Sequence, residues 1–282
     1  MINYDPREVG VVCPIMLSSG QQEKVKYLFI DGAYLRSMLK HVSLRYFGGD
    51  KINIDFLKLA TGYKKTFYYD CIDAKKSTEK RLDYEKRIGP QKELFNVLKL
   101  LPGFHVREGV LKGVRRRRQK QIDVMIAVEM LTHSFRGNMD EVTFLTGDLD
   151  FKPLVDALVL DGMYVNLWYH PDSASKELIY VADSNTPITV RTVYNWSGAD
   201  FQRKYQIPSA LSTPENEVRG YDRLKEGKTS RGSLIELFKK DDMYCIVFPN
   251  EKNPGFNIYV RFQNLDFLEK YVRDVYSDFR WE

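Results

Sequence analysis

From residue 26 onward, short runs of consecutive apolar residues alternate with longer stretches in which apolar residues recur every three or four positions. The first kind reads as buried strand and the second as helix with one buried face. KYLFI ends at Ile30, and Asp31-Gly32 breaks it. Residues 34–46 follow with Leu35, Met38, Leu39 and Val42 at helical spacing. TFYYD, ending at Asp70, is the second strand. A charged stretch from Lys75 to Arg87 leads to a helix over 90–101, which Pro102-Gly103 stops. FHVREGVL is the third strand, and a helix over 120–134 turns Ile122, Met125, Ile126 and Met130 inward, with Phe135 a further candidate. VTFLT at 142–146, a helix over 151–161 and MYVNLW complete the series. Strands alternating with helices predict a parallel sheet covered on both faces, with every strand C-terminus at one edge. Ligand sites in such sheets sit at that edge, where the strand order reverses.

Beyond Trp168 the pattern weakens. Residues 1–24 read as an arm, 25–195 as the α/β domain and 196–220, with Pro, Ser and Asn, as a linker. Residues 221–282 read as a small α+β module. There SLIELFKK and FLEKYVRDVYSDF are predicted helices, and YCIVFP and FNIYVRF are predicted strands joined by NEKNPG.

Composition narrows the class. In 282 residues, 43% are hydrophobic and 29% charged, an ordinary globular balance. No apolar run approaches a membrane span, and the N-terminus lacks the basic-then-apolar layout of a secretion signal. Cys13, Cys71 and Cys245 are scattered without metal-ligand spacing, so a reducing cytoplasm fits. The net charge of +5 lies wholly in residues 1–195, because residues 196–282 carry equal numbers of basic and acidic side chains. Residues 107–120 hold seven basic side chains and one acidic one. Such concentration suits a phosphate backbone.

The acids supply the candidate chemistry. Asp31 ends the first strand, and Asp148 and Asp150 lie in the TGDLD turn after the fourth. If those strands are neighbours, as in the order 3-2-1-4-5, the two turns adjoin. Asp123 lies in the first turn of the helix beside that edge. Converging carboxylates repel and raise one another's pKa values, a cost that Mg²⁺ or Mn²⁺ would remove. A water on such an ion can attack a phosphodiester. Each acid also has a plainer reading: Asp31 as a turn residue, Asp150 as a helix N-cap, Asp123 as a complement to the helix dipole. Asp70, at the end of the second strand, either extends the acidic set or caps a loop. Asp156 reads as an exposed helix residue.

The blocks FIDGAYL, QKQIDVMIAVEM and VTFLTGDLDFKPLVDALVLDGMYVNLW resemble the three signature blocks of the NYN family, a branch of the PIN-like ribonucleases. The resemblance covers about residues 26–195. It implies a PIN-like three-layer fold with a mostly parallel central sheet, and endonucleolytic cleavage of RNA with a divalent metal. By motif position it implies metal-coordinating roles for Asp31, Asp123, Asp148 and Asp150, and Thr146 stands where Ser or Thr is usual. Where the first block usually reads Asp-Gly-x-Asn, this chain has Tyr34, which keeps a hydroxyl. Leu149 stands where Gly is frequent.

Arg115, Arg116, Arg117, Arg118 and Lys120 precede Asp123, with Lys112 and Arg107 extending the segment. At least some of the four arginines are expected on the loop entering the helix. They read as an RNA phosphate clamp or as a solvated charge run. Lys75, Lys76, Lys80 and Arg81 form a second basic stretch, near Tyr68, Tyr69 and Tyr84, which are candidates for base stacking. His41, His105, His133 and His170 show no paired spacing and read as structural or surface residues. A haloacid-dehalogenase phosphatase would need Asp where Ala33 stands, and no GxGxxG follows the first strand. The remaining alternative is an NYN fold that binds RNA or scaffolds without cleaving. The neutral, aromatic C-terminal module suits a partner protein, self-association or substrate selection.

Overall fold

The computed structural model describes residues 24–109 and 115–282, with the backbone alone over 115–120. The chain runs β1 (Lys26–Asp31), α1 (Gly32–Tyr46), α2 (Phe56–Leu59), β2 (Lys65–Cys71), α3 (Arg81–Leu100), β3 (Phe104–Gly109), α4 (Arg115–Phe135) and β4 (Glu141–Leu145). Next come α5 (Lys152–Leu160), β5 (Tyr164–Tyr169), α6 (Lys176–Val181), β6 (Ser184–Pro187), α7 (Val190–Trp196) and α8 (Ala199–Lys204). The remainder is β7 (Ser209–Thr213), β8 (Asp222–Thr229), β9 (Leu234–Lys240), β10 (Met243–Pro249), β11 (Asn257–Phe262), α9 (Leu265–Val275) and β12 (Phe279–Trp281).

The first sheet has the order β3-β2-β1-β4-β5-β6 and is parallel throughout. Its strands are apolar on both sides because both faces are covered. Along β1, Leu28 and Ile30 enter the core shared with Leu35, Met38 and Val42 of α1. Tyr27 and Phe29 enter the opposite core, with Ile122, Ile126 and Met130 of α4. That is a three-layer, PIN-like arrangement with β1 at its centre. The strand order reverses between β1 and β4, and the register Ile30↔Leu145 sets Asp31 beside Thr146.

Four features of this half depart from the periodicity. Helix α3 begins at Arg81 and runs through Pro90, absorbing part of the charged stretch. Helix α4 begins at Arg115, so all four arginines are helical in backbone and Asp123 lies two turns in. Phe135, a candidate for the inward face, is 68% exposed. The polar strand β6 exists through its pairing with β5.

The second sheet is antiparallel, with the order β12-β8-β9-β10-β11-β7. SLIELFKK, expected as a helix, is β9. Its helix-forming Leu, Glu and Lys yield to pairing on both sides, and Ile235 and Leu237 are buried at strand spacing. The expected linker is also structured: Phe201 of α8 is buried, and β7 pairs with β11 along its length. Helix α9 joins the halves. The fork of Arg45 on α1 holds Asp274 at 2.6 and 2.7 Å, and Tyr46 stacks edge-on against Phe267. Among the described residues no helix is long and apolar enough to cross a membrane.

Candidate metal centre at the carboxyl edge of the parallel sheet

Asp31 leaves β1 as the N-cap of α1, its carboxylate accepting the Tyr34 N–H at 3.1 Å. Gly32 follows because a Cβ there would lie 2.7 Å from the Tyr68 ring and 2.8 Å from the Tyr69 carbonyl oxygen. Across the strand reversal, the fully buried Thr146 hydroxyl donates to Asp31 at 3.4 Å and accepts the Asp148 N–H at 3.3 Å. Asp148 in turn accepts the Asp150 N–H at 3.0 Å and caps a short 3-10 turn over Leu149–Phe151. The capping expected of Asp150 therefore falls to Asp148, and Asp150 stands exposed in that turn.

The Asp123 carboxyl is pushed up to about 6, first by burial and then by the charges of Asp31, Asp148 and Asp150. Burial also raises Asp31, with Asp148 adding to the effect and the Tyr34 N–H and Thr146 hydroxyl opposing it. Carboxylates from three separate segments thus feel one another at one edge. No described basic side chain is paired with any of the four, and all their donors are hard oxygens, a set that suits Mg²⁺ or Mn²⁺. Among the described residues, no three of these carboxylates bring ligand atoms within 4.8 Å of one another; the trio that does is His41, His170 and Asp172. The four acids therefore form an open cradle and not a closed cage of direct ligands.

The other candidates lie elsewhere. Asp70 is 1% exposed, ion-paired with Arg36 and hydrogen-bonded by the Gln91 amide at 2.9 Å and the Cys71 N–H at 2.8 Å. Its charge is answered locally. Tyr68 and Tyr69 are both fully buried, on opposite faces of the sheet, so neither can stack a base. Arg107, expected to widen the basic surface, instead grips Glu129 at 2.9 Å, while Tyr69 donates to the same carboxylate at 2.7 Å. Lys112 lies outside the described residues, as do the side chains of Arg115, Arg116, Arg117, Arg118 and Lys120. Asp156 pairs with Lys152 at 2.6 Å on the exposed face of α5.

Tyr34 spans the edge. Its hydroxyl accepts the His170 N–H at 2.8 Å and meets the Ser173 hydroxyl at 3.1 Å. Its ring covers Gly147, where a Cβ would lie 2.6 Å from both that ring and the Ser173 carbonyl oxygen. Position 34 is thus committed to the turn after β5. The neighbouring histidines went unpaired in sequence because 129 positions separate His41 from His170. The available signal was position: His170-Pro171-Asp172 follows the fifth strand at this same edge.

Comparison with known proteins resolves the class. The NYN domain sequence model matches residues 27–190, more than half of the chain. The chain belongs to the NYN domain family. That places it among PIN-like, nuclease-type proteins. No curated protein matches it. Among solved structures, a protein of unknown function from Vibrio parahaemolyticus shows 19% identity over 60% of this chain and 96% of its own, with a TM-score of 0.42. An alpha-fucosidase from Thermotoga maritima shows 10% identity over 88% and 93%, with a TM-score of 0.20. Likenesses at that level bear on neither fold nor activity. The family assignment rests on the NYN match, which ends before the second sheet begins.

Proposed function

We propose that this NYN protein is a metal-dependent endoribonuclease whose cation is held by Asp31, Asp123, Asp148 and Asp150. The reading is carried by one observation. At the strand-order reversal, Thr146 ties Asp31 to the Asp148 turn, and Asp123 faces all three neighbouring acids without a described cation beside them. A divalent ion bound there would supply an activated water and screen charge on a phosphodiester. The residues themselves do the positioning. Asp31 is fixed by the N–H of Tyr34, Thr146 locks the two turns together, and Asp148 holds its own turn through the Asp150 N–H.

RNA is the substrate class that the basic segment favours. The basic residues of 115–120 precede Asp123 in one continuous helix. Arginine suits that task because its planar fork takes phosphate in two-point contacts. A second reading, an NYN fold that binds RNA without cutting it, draws on Tyr34. The hydroxyl that replaces the usual Asn is engaged by His170 and Ser173, so it offers the cradle nothing.

The deciding experiment incubates the full chain with mixed RNAs and DNAs, with Mn²⁺, Mg²⁺ or chelator. Cleavage of RNA that needs the metal, and that falls at least about 100-fold in Asp148→Asn with the fold intact, supports the nuclease. Tight binding with no cleavage under any metal supports the second reading.

A further inference from the structure

A second group of ligating side chains lies near the carboxylate cradle. His41 projects from the outer face of α1, and His170 and Asp172 occupy the turn after β5. His41 Nε2 and Asp172 Oδ2 are 3.2 Å apart, and ligand atoms of all three residues lie within 4.8 Å of one another. Bond lengths of about 2.0–2.2 Å in a tetrahedral site put neighbouring ligand atoms roughly 3.3 Å apart. The His41–Asp172 spacing is therefore one edge of such a site. The two imidazoles meet edge-to-face at 5.0 Å between centroids, and the ligand atom of His170 lies within 4.8 Å of the other two.

The donor types differ in kind from those of the cradle. Two imidazoles and one carboxylate select a borderline-soft transition ion over Mg²⁺. His170 is 8% exposed, so its ring is held in place by the packed turn and is not free in solvent. Arg45 and Asp274 also act on His170, but they are ion-paired with each other. Asp172 supplies a negative charge that a bound cation would neutralise. Two contacts oppose binding, the first being the hydrogen bond that His41 Nε2 and Asp172 Oδ2 share without a metal. In the second, His170 Nδ1 accepts the Asp172 N–H at 3.3 Å, and a cation on either ring nitrogen would displace it. At that length it is a weak bond.

We propose that His41, His170 and Asp172 form a three-ligand site for a divalent transition metal of the Zn²⁺ type, distinct from the carboxylate cradle. Occupation would pin the turn after β5 to α1, in the same place where Tyr34 already holds His170 and Ser173. Three protein ligands leave a fourth position open to water or an anion. His41 and Asp172 are exposed, so the site is reachable from solvent.

The test uses the full chain, stripped with chelator and then kept in excess Mg²⁺ to fill the oxygen cradle. Co²⁺ is added while its visible ligand-field absorption is followed, and Zn²⁺ is titrated by calorimetry. One equivalent is expected. His41→Ala and Asp172→Asn, both exposed and checked for an unchanged circular dichroism spectrum, should each weaken binding at least about tenfold. Asp148→Asn should leave it unchanged. No Co²⁺ uptake in Mg²⁺ would overturn the site and leave His41 and Asp172 as an ordinary ion pair. Uptake lost in Asp148→Asn but kept in His41→Ala would also overturn it, by assigning the ion to the cradle. Neither result depends on RNA cleavage, so the site and the nuclease reading fail separately.

Discussion

Asp31 and Asp70 lie at the ends of adjacent parallel strands, Asp31 half-buried and Asp70 fully buried, yet their surroundings are opposite. Around Asp70 the chain supplies a guanidinium, an amide and a backbone N–H, so the negative charge is balanced where it stands. Around Asp31 it supplies the N–H groups of Tyr34 and Ala33, one threonine hydroxyl, and the charges of Asp148 and Asp123. A buried carboxylate with its partners in place is part of the scaffold. A half-buried carboxylate facing others of its kind is a demand for something from outside, and such sites are where functional chemistry concentrates.

The comparison breaks most visibly in catalysis. Asp31→Asn should cut metal-dependent RNA cleavage at least about 100-fold, while Asp70→Asn leaves turnover near wild type in whatever fraction stays folded. Equal losses in a single-turnover assay would erase the distinction. Stability should divide the other way. Arg36→Leu strands a buried carboxylate and should cost about 3 kcal/mol in denaturant unfolding, because breaking one side of a buried pair leaves the other uncompensated. An unchanged midpoint would mean that Gln91 and the Cys71 N–H suffice alone.

Gly147→Ala tests how tightly the edge is packed. Its new Cβ would meet both the Tyr34 ring and the Ser173 carbonyl oxygen, and should cost about 1–3 kcal/mol. Because one of those atoms is backbone, truncating Tyr34 as well should recover only part of the loss. The smallest effect is in pH. Asp123 holds its proton up to about 6 in the fold, against an ordinary value of 3.8. The folded state therefore binds that proton more tightly than the unfolded chain does. Stability of the metal-free protein should decline as pH rises from about 4 through about 6. Mg²⁺ should lessen the decline, and Asp123→Asn should make it shallower, with Asp31 contributing what is left. A melting-temperature profile with the same slope in Asp123→Asn would detach Asp123 from the cluster.

Much of the edge was legible in the sequence because a parallel sheet turns strand order into geography. The apolar runs fixed where β1 and β4 end, and acids directly after them had to share one rim. What was hidden depended on helix rotation and on pairing. Nothing in the order of residues says that Arg36 turns toward Asp70, or that Arg107 meets Glu129 instead of RNA. The four-residue β6 and the charged β8 have little apolar signal of their own and exist through their neighbours. SLIELFKK misleads for the same reason, since its composition favours a helix and its partners impose a strand.

The strand β7 and the apolar wall behind α7 bear on how this chain comes apart. Val190, Val193 and Trp196 share one buried cluster with Ile235, Leu237, Ile246 and Leu268. A clone that stops where the NYN match ends would strip the lid from that shared interior and leave greasy side chains in water. In the intact chain the shared interior couples the two sheets, so a calorimetric scan should show them melting together.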